Sequence, residues 1–261
     1  MVLILIIAVA FGAAMLTFFS GFGLGTILMP VFALFFPVEI AIALTAIVHL
    51  MNNLFKATLV WRAVNLKVVF WFAIPAAVAA FGGASLLNIL SGQTPIINYT
   101  LGEKMLEVTL LKLVIAVLLI VFALAEINRR FEKITVRRSL LPLGGVLSGF
   151  FGGFSGHQGA LRSLFLLRVG LSKEGFIATG IAAAIVIDIS RLSVYGSSFF
   201  SRHFHTLNRE SLLMLILACL SAFAGSWTGR RMLKKVTYRT VQLSVGILIL
   251  VMALLLGTGI I

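Results

Sequence analysis

Gln158 and Arg162 stand four residues apart, directly after His157 in the stretch Gly152-Gly153-Phe154-Ser155-Gly156-His157-Gln158-Gly159. A helix beginning near Gly159 would bring Gln158 and Arg162 onto one face. The arginine keeps its charge and offers a planar fork of donors that suits the oxygens of sulfonate, sulfite or carboxylate groups. His157 can donate to a ligand or carry a proton. The competing readings are ordinary ones: Arg162 snorkels to an interface or pairs with Asp188, and His157 is a packed hydrogen-bonding histidine.

A second polar set lies on two long apolar stretches. Thr45, His49, Asn52 and Lys56 recur at spacings of 4, 3 and 4, which makes one helical stripe, with Asn53 beside it. In the later stretch stand Thr179, Asp188 and Arg191. Asp188 and Arg191 are three apart and can pair on a helix surface. A structural ion pair is the favoured reading of these two, and a proton relay through Asp188 the sharper one.

The elements that must position these groups are written twice. Ser20-Gly21-Phe22-Gly23-Leu24-Gly25 leads to Ala43-Leu44-Thr45, and about 134 positions later Ser155-Gly156-His157-Gln158-Gly159 leads to Ile177-Ala178-Thr179. Asn65-Leu66-Lys67 opens a stretch containing Gly82, and Asn208-Arg209-Glu210 opens one containing Gly225. A turn at Gly21, Gly23 and Gly25, or at Gly156 and Gly159, followed by a short helix, aims free N–H groups and a positive dipole end at whatever lies ahead. Two such turns in related repeats make an anion site near the membrane midplane. The competing reading is close helix packing, for which glycine is also favoured.

Composition says what surrounds these elements. Hydrophobic residues make up 61% of the chain and charged residues 11%, with a mean hydropathy of +1.14. Soluble domains hold about 25% charged residues, so lipid is the expected solvent. Five apolar elements fall in each half: 2–19, 26–36, 40–60, 68–90 and 110–125, then 140–154, 160–169, 176–195, 211–232 and 241–256. A straight crossing takes about 20 residues. The second element of each half is too short and reads as a half-helix or re-entrant arm, tolerated at depth only inside protein or beside water. The expected fold is thus an all-α polytopic membrane protein: a first transmembrane repeat over 1–125, a basic linker over 126–138, and a second repeat over 139–261.

Charge sets the orientation. The formal net charge is +13, and most Lys and Arg residues fall in four short segments: Lys56 to Lys67, Arg129 to Arg138, Arg168 with Lys173, and Arg230 to Arg239. Placing all four on the cytoplasmic side obeys the positive-inside rule and leaves nucleic acid out of the account. An odd number of elements per half then makes the repeats inverted, with both termini periplasmic or extracellular and the segment 91–109 as an outside loop. Met1 to Phe19 lacks a basic leader and reads as the first membrane element.

Enzyme signatures are weak. His203-Phe204-His205 has no carboxylate or Cys nearby, and the lone Cys219 sits in an apolar run, so neither a metal site nor a cofactor is expected. The glycine turns follow no strand and carry no Lys-Ser/Thr pair, which disfavours nucleotides.

At Ser20-Gly21-Phe22-Gly23-Leu24-Gly25 with Pro30, Pro37 and Ala43-Leu44-Thr45, and again at Gly152 to Ala160, the chain resembles the sulfite exporter TauE/SafE family over essentially its whole length. The resemblance implies a carrier of sulfur-containing or related small organic anions in the bacterial inner membrane, often an exporter, coupled to an ion gradient with the proton as candidate. Alternating access would rock one repeat against the other. The expected substrate site gathers Gly21, Gly23, Gly25, His49, Asn52, Gly156, His157, Gln158, Gly159 and Arg162, with Asp188 and Arg191 as coupling or ion-pair residues. Phe22 and Leu24 interrupt the first glycine run, while His157, Gln158 and Arg162 add side chains to the second; this asymmetry is expected to select the substrate. Other readings are a carrier of metal ions or lipid-linked phosphate, and a membrane scaffold in a sulfur pathway. Assembly into a homo-oligomer is compatible with all of them.

Overall fold

The computed structural model describes residues 2–18, 23–128, 137–167, 169–197, 209–232 and 238–261. Gly21, the linker cations Arg129, Arg130 and Lys133, Arg168, and His203 to His205 lie outside the described residues. The helices are α1 (Val2–Leu16), α2 (Leu24–Ala33), α3 (Val38–Val60), α4 (Leu66–Leu90), α5 (Leu110–Ile127), α6 (Leu141–Ser155), α7 (Gly159–Leu166), α8 (Lys173–Tyr195), α9 (Arg209–Met232) and α10 (Tyr238–Gly257). α3 with the turn after it, α4, α8 and α9 are long and apolar enough to cross a membrane. Large apolar side chains such as Leu66, Phe70, Val78 and Phe81 stand exposed along α4. In water such a face would be a liability; in lipid it is the normal solvent contact. The protein is a helical polytopic membrane protein.

Helix starts follow local chemistry. The side chains of Asn65, Thr109 and Ser172 accept hydrogen bonds from the amides of Val68, Lys112 and Gly175, at 3.1, 3.2 and 3.0 Å, at the heads of α4, α5 and α8. The segment after α4 is more than a loop. β1 (Ile97–Leu101) and β2 (Lys104–Val108) pair antiparallel, Ile97 opposite Val108, around Gly102 at φ +65°. The Tyr99 hydroxyl donates to the Thr258 carbonyl at 2.5 Å, tying this hairpin to the end of α10.

The two halves interlock. α6 lies along α4 so closely that a β-carbon added at Gly145, Gly149 or Gly153 would overlap the carbonyls of Phe72, Ala76 and Ala80. The matched order along both helices means that they run in the same direction. α1 lies along α9 in the same way: Gly225 and Gly229 meet the backbone of Phe11 and Met15, and the Ser221 hydroxyl donates to the Ile7 carbonyl at 2.7 Å. Backbones approach this closely only where side chains are absent or small. The glycine of α4 that packs on α6 is Gly83, against Phe150 and Phe154; Gly82, matched to Gly225 in the sequence, faces open space.

Each first helix therefore packs on the fourth helix of the other half. The remaining contacts follow the same exchange: α3 with α9 and α4 with α8, α2 with α3 and α7 with α8, while α3 meets α8 and α5 meets α10. Two apolar clusters result. One joins α6, α7 and α8 to Val68, Phe72, Ala73, Ala76 and Ala80 of α4. The other joins α1, α2, α3, α5, α9 and α10, and takes in Ala84 and Leu87 at the end of α4, Phe154 of α6, and Val194 and Tyr195 at the end of α8.

Candidate functional site

Asp188 on α8 is the hub of the buried polar network. Its Oδ1 accepts from Nε2 of Gln158 at 2.8 Å and from Nη2 and Nε of Arg191 at 2.7 and 3.0 Å. Its Oδ2 accepts from Nδ1 of His49 on α3 at 2.6 Å, with Asn53 Nδ2 at 3.5 Å. Arg191 also donates through Nη1 to the Gly152 carbonyl at 3.1 Å, near the C-terminal end of α6, where the helix dipole favours a cation. Tyr195, one turn further along α8, donates its hydroxyl to the Gly153 carbonyl. A carboxylate with no water exposure is tolerable only with this degree of pairing.

The glycine breaks bring the halves together. Gly23 at φ +112° precedes α2, and Gly156 at φ +82° ends α6; both take left-handed backbone that glycine adopts without strain. Gly25, at the head of α2, faces the Gly156 carbonyl: an added β-carbon would sit 3.5 Å from that oxygen, 3.8 Å from Thr45 Cγ2 and 3.9 Å from His49 Cδ2. Beyond Gly156 the chain doubles back. Gly152 makes room for Gln158, and near the other end of the same pair Gly144 makes room for the Phe165 ring, so α7 returns antiparallel along α6 as a helical hairpin. The Ser148 hydroxyl donates to the Gln158 carbonyl at 2.9 Å and locks this turn. Arg162, one turn into α7, places its guanidinium against Gly180 of α8 and donates to Gln158 Oε1 at 3.3 Å.

Three buried polar atoms have no hydrogen-bond partner among the described residues: Thr45 Oγ1, Asn52 Nδ2 and His157 Nε2. Unsatisfied polar groups at depth are costly and point to something that completes them. Thr45 belongs to the Gly25–Gly156 contact. Asn52 faces α9, where its Oδ1 accepts from Ser226 at 2.8 Å. His157 turns away from Asp188 and stacks on Phe122 of α5, ring centroids 5.8 Å apart. Its Nδ1 donates to the Ser155 carbonyl at 2.8 Å, so in the neutral ring Nε2 is an acceptor and donates only as imidazolium.

The sequence-derived candidates thus divide. His49, Gln158, Arg162, Asp188 and Arg191 form one network; Gly25 and Gly156 meet beside it, after Gly23 and before Gly159; Asn52 and His157 point elsewhere. Asp188, set apart in the sequence as the local partner of Arg191, also bonds His49 and Gln158 directly. Thr45 and Asn53 belong to the polar stripe of the sequence though not to its expected substrate site, while Ser148, Tyr195 and Ser226 were not among the candidates. Lys56, counted in the sequence with the loop cations, lies within α3 at 5% exposure with its Nζ 5.5 Å from the Phe18 ring centroid. An aromatic face returns to a buried cation a part of what it loses in hydration.

The electrostatic balance is one-sided. Lys56, Arg162 and Arg191 are buried, and among the described residues Asp188 is the one buried carboxylate. The interior therefore carries a surplus of positive charge, ringed by small backbone-exposing residues and unsatisfied polar atoms. That arrangement suits a small anion. A family model described as Sulfite exporter TauE/SafE matches residues 6–256. No curated protein and no solved structure matches the chain.

Proposed function

This chain belongs to the TauE/SafE sulfite exporter family of membrane transporters, and from that premise we propose that it moves a small sulfur-containing or organic oxyanion, such as sulfite or a sulfonate, by alternating access. The observation that carries the reading is the excess of buried cations over buried carboxylate around Asp188. An oxyanion held near Arg162 would offset that excess and satisfy donors that water cannot reach. Thr45 Oγ1 and the backbone around Gly23, Gly25, Gly156 and Gly159 supply further polar contacts, and Gln158 orients the fork of Arg162 while holding Asp188.

The repeats are inverted in this reading, with both termini periplasmic and the basic linker cytoplasmic. The contact pattern exchanges the halves as a two-fold axis would, and an axis in the membrane plane meets the positive-inside rule. The moving bodies are then the two interlocked bundles, α6, α7 and α8 with α4 against α1, α2 and α3 with α9, and not the two sequence halves. The His49–Asp188 contact spans the gap between them. The proton is the candidate coupling ion, because among the described residues His49 and Asp188 form the one titratable pair that bridges the bundles.

Flux into proteoliposomes with a panel of sulfite, sulfonates and carboxylates at several pH values tests this. Saturable flux of sulfite or a sulfonate is expected; the absence of flux for every anion would leave a scaffold in its place.

A further inference from the structure

The central network is buried, and a cavity lies beside the end of α3, the helix that carries His49. The end of α3, the start of α8 and the last turn of α9 enclose a space of ≈ 600 Å³. Cavities of about 300–1,000 Å³ are the usual size for small-molecule sites. Three cations on its wall, Arg62, Lys173 and Arg230, outnumber the one carboxylate, Glu174, and all four are exposed. Phe18 and Ile177 line it from the buried side.

This cavity opens along the seam between the two bundles: α3, α9 and Phe18, two residues past α1, contribute one side, α8 the other. Its buried end leads inward through a specific contact. Lys56 covers the Phe18 ring, and on α3 it stands one turn beyond Asn52 and Asn53, on the stripe that continues to His49 and Asp188. Cations are thus found both at the cavity and in the interior: Arg62, Lys173 and Arg230 exposed on its wall, Lys56 and Arg162 buried. Clefts lined by one sign of charge concentrate the opposite ion.

We propose that this cavity is the vestibule through which the anion passes on the basic side of the protein, and that Phe18, held by Lys56, is the plug between vestibule and central network. The proposal rests on the transport reading above and adds a route, a gate and a relay residue to it. An anion arriving in the vestibule meets Lys56, draws it off the Phe18 ring, and is handed to Arg162 as the bundles rock. The chemistry favours small sulfonates and similar oxyanions that can pass an aromatic plug.

The test uses full-length protein carrying Cys219→Ala, with Thr58→Cys on the cavity wall as a reporter. Its modification by a charged, membrane-impermeant maleimide is followed in proteoliposomes with and without ethanesulfonate. Ethanesulfonate is expected to slow labelling over the concentration range in which it saturates flux. Lys56→Gln is expected to lower flux about tenfold or more while leaving that protection in place, and Lys56→Arg to restore flux, which separates loss of charge from loss of folding. Labelling that ignores ethanesulfonate in a protein that transports it overturns the vestibule and leaves the transport reading intact. Labelling that responds only to phosphatidylglycerol content identifies a lipid headgroup site and overturns the vestibule as well. Lys56→Gln with wild-type flux removes the gate. Wild-type protein without flux for any anion overturns both readings together.

Discussion

Nδ1 of His49 lies 2.6 Å from Oδ2 of Asp188, across 139 residues of sequence and across the boundary between the two bundles. It is a short, water-excluded contact between the third helices of the two halves, α3 and α8. A rocking motion of one bundle against the other must stretch or break it, so its strength sets how readily the bundles part.

Asp188→Asn removes the carboxylate that Arg191 and His49 share. Breaking a buried pair by deleting one partner costs about 3–5 kcal/mol. The expected outcome is a lower unfolding midpoint in detergent and loss of flux, with Asp188→Glu recovering part of the stability. An Asp188→Asn protein as stable as wild type would mean that Arg191 is adequately held by the Gly152 carbonyl alone.

Arg162→Gln keeps the hydrogen-bonding capacity near Gln158 but removes the charge. Truncating a buried charge contact to a ligand costs about 2 kcal/mol or more, so the half-saturating anion concentration should rise by about tenfold or more with little change in unfolding midpoint. Arg162→Lys should recover only part of this, because a point charge cannot present a planar fork. Unchanged saturation in Arg162→Gln would take Arg162 out of the site.

Gly149→Val and Gly82→Val make a matched pair. The first drives a side chain into the Ala76 carbonyl, where α4 and α6 touch; the second adds one to open space on α4. Overpacking costs about 1–3 kcal/mol where neighbours can shift, and more against rigid backbone. Gel filtration and thermal unfolding should show Gly149→Val poorly assembled and Gly82→Val close to wild type. Equal behaviour of the two would refute the α4–α6 seam.

Reporter tags at Asn98, in β1, and at Lys133, in the linker, should read out on opposite faces of the membrane. Protease or thiol access from each side measures this directly. Both on one face would sink the inverted arrangement and with it the placement of the termini.

The order of the helices was legible because each needs an apolar run of its own length, and the short second elements stand out against the length a bilayer demands. The partners of those helices were not. Gly145, Gly149 and Gly153 repeat every four residues, but such a stripe states only that something comes close, never what. The pairing of Asp188 with Arg191 follows from a spacing of three, whereas His49 reaches the same carboxylate from the far end of the chain. Lys56 reads two ways in the sequence, as the end of the Thr45–His49–Asn52 stripe and as a loop cation; it lies buried on the helix, and its contact with Phe18 is one that no periodicity connects to it. The hairpin at 97–108 did carry a local signal, with Ile97, Tyr99 and Thr100 before Gly102, which the length of the apolar runs on either side obscured.

The crossed packing of α1 on α9 and α4 on α6 bears on the origin of the chain. A polypeptide consisting of one repeat would expose the close-packing faces of both its first and its fourth helix. It would fold stably only by trading these helices with a second copy of itself. Such a unit standing alone would need a homodimer to cover those faces, and joining two copies in one chain would demand no new contact. Once they were joined, the faces that had to be self-complementary were free to diverge, which is the condition under which His157, Gln158 and Arg162 can exist on one side only.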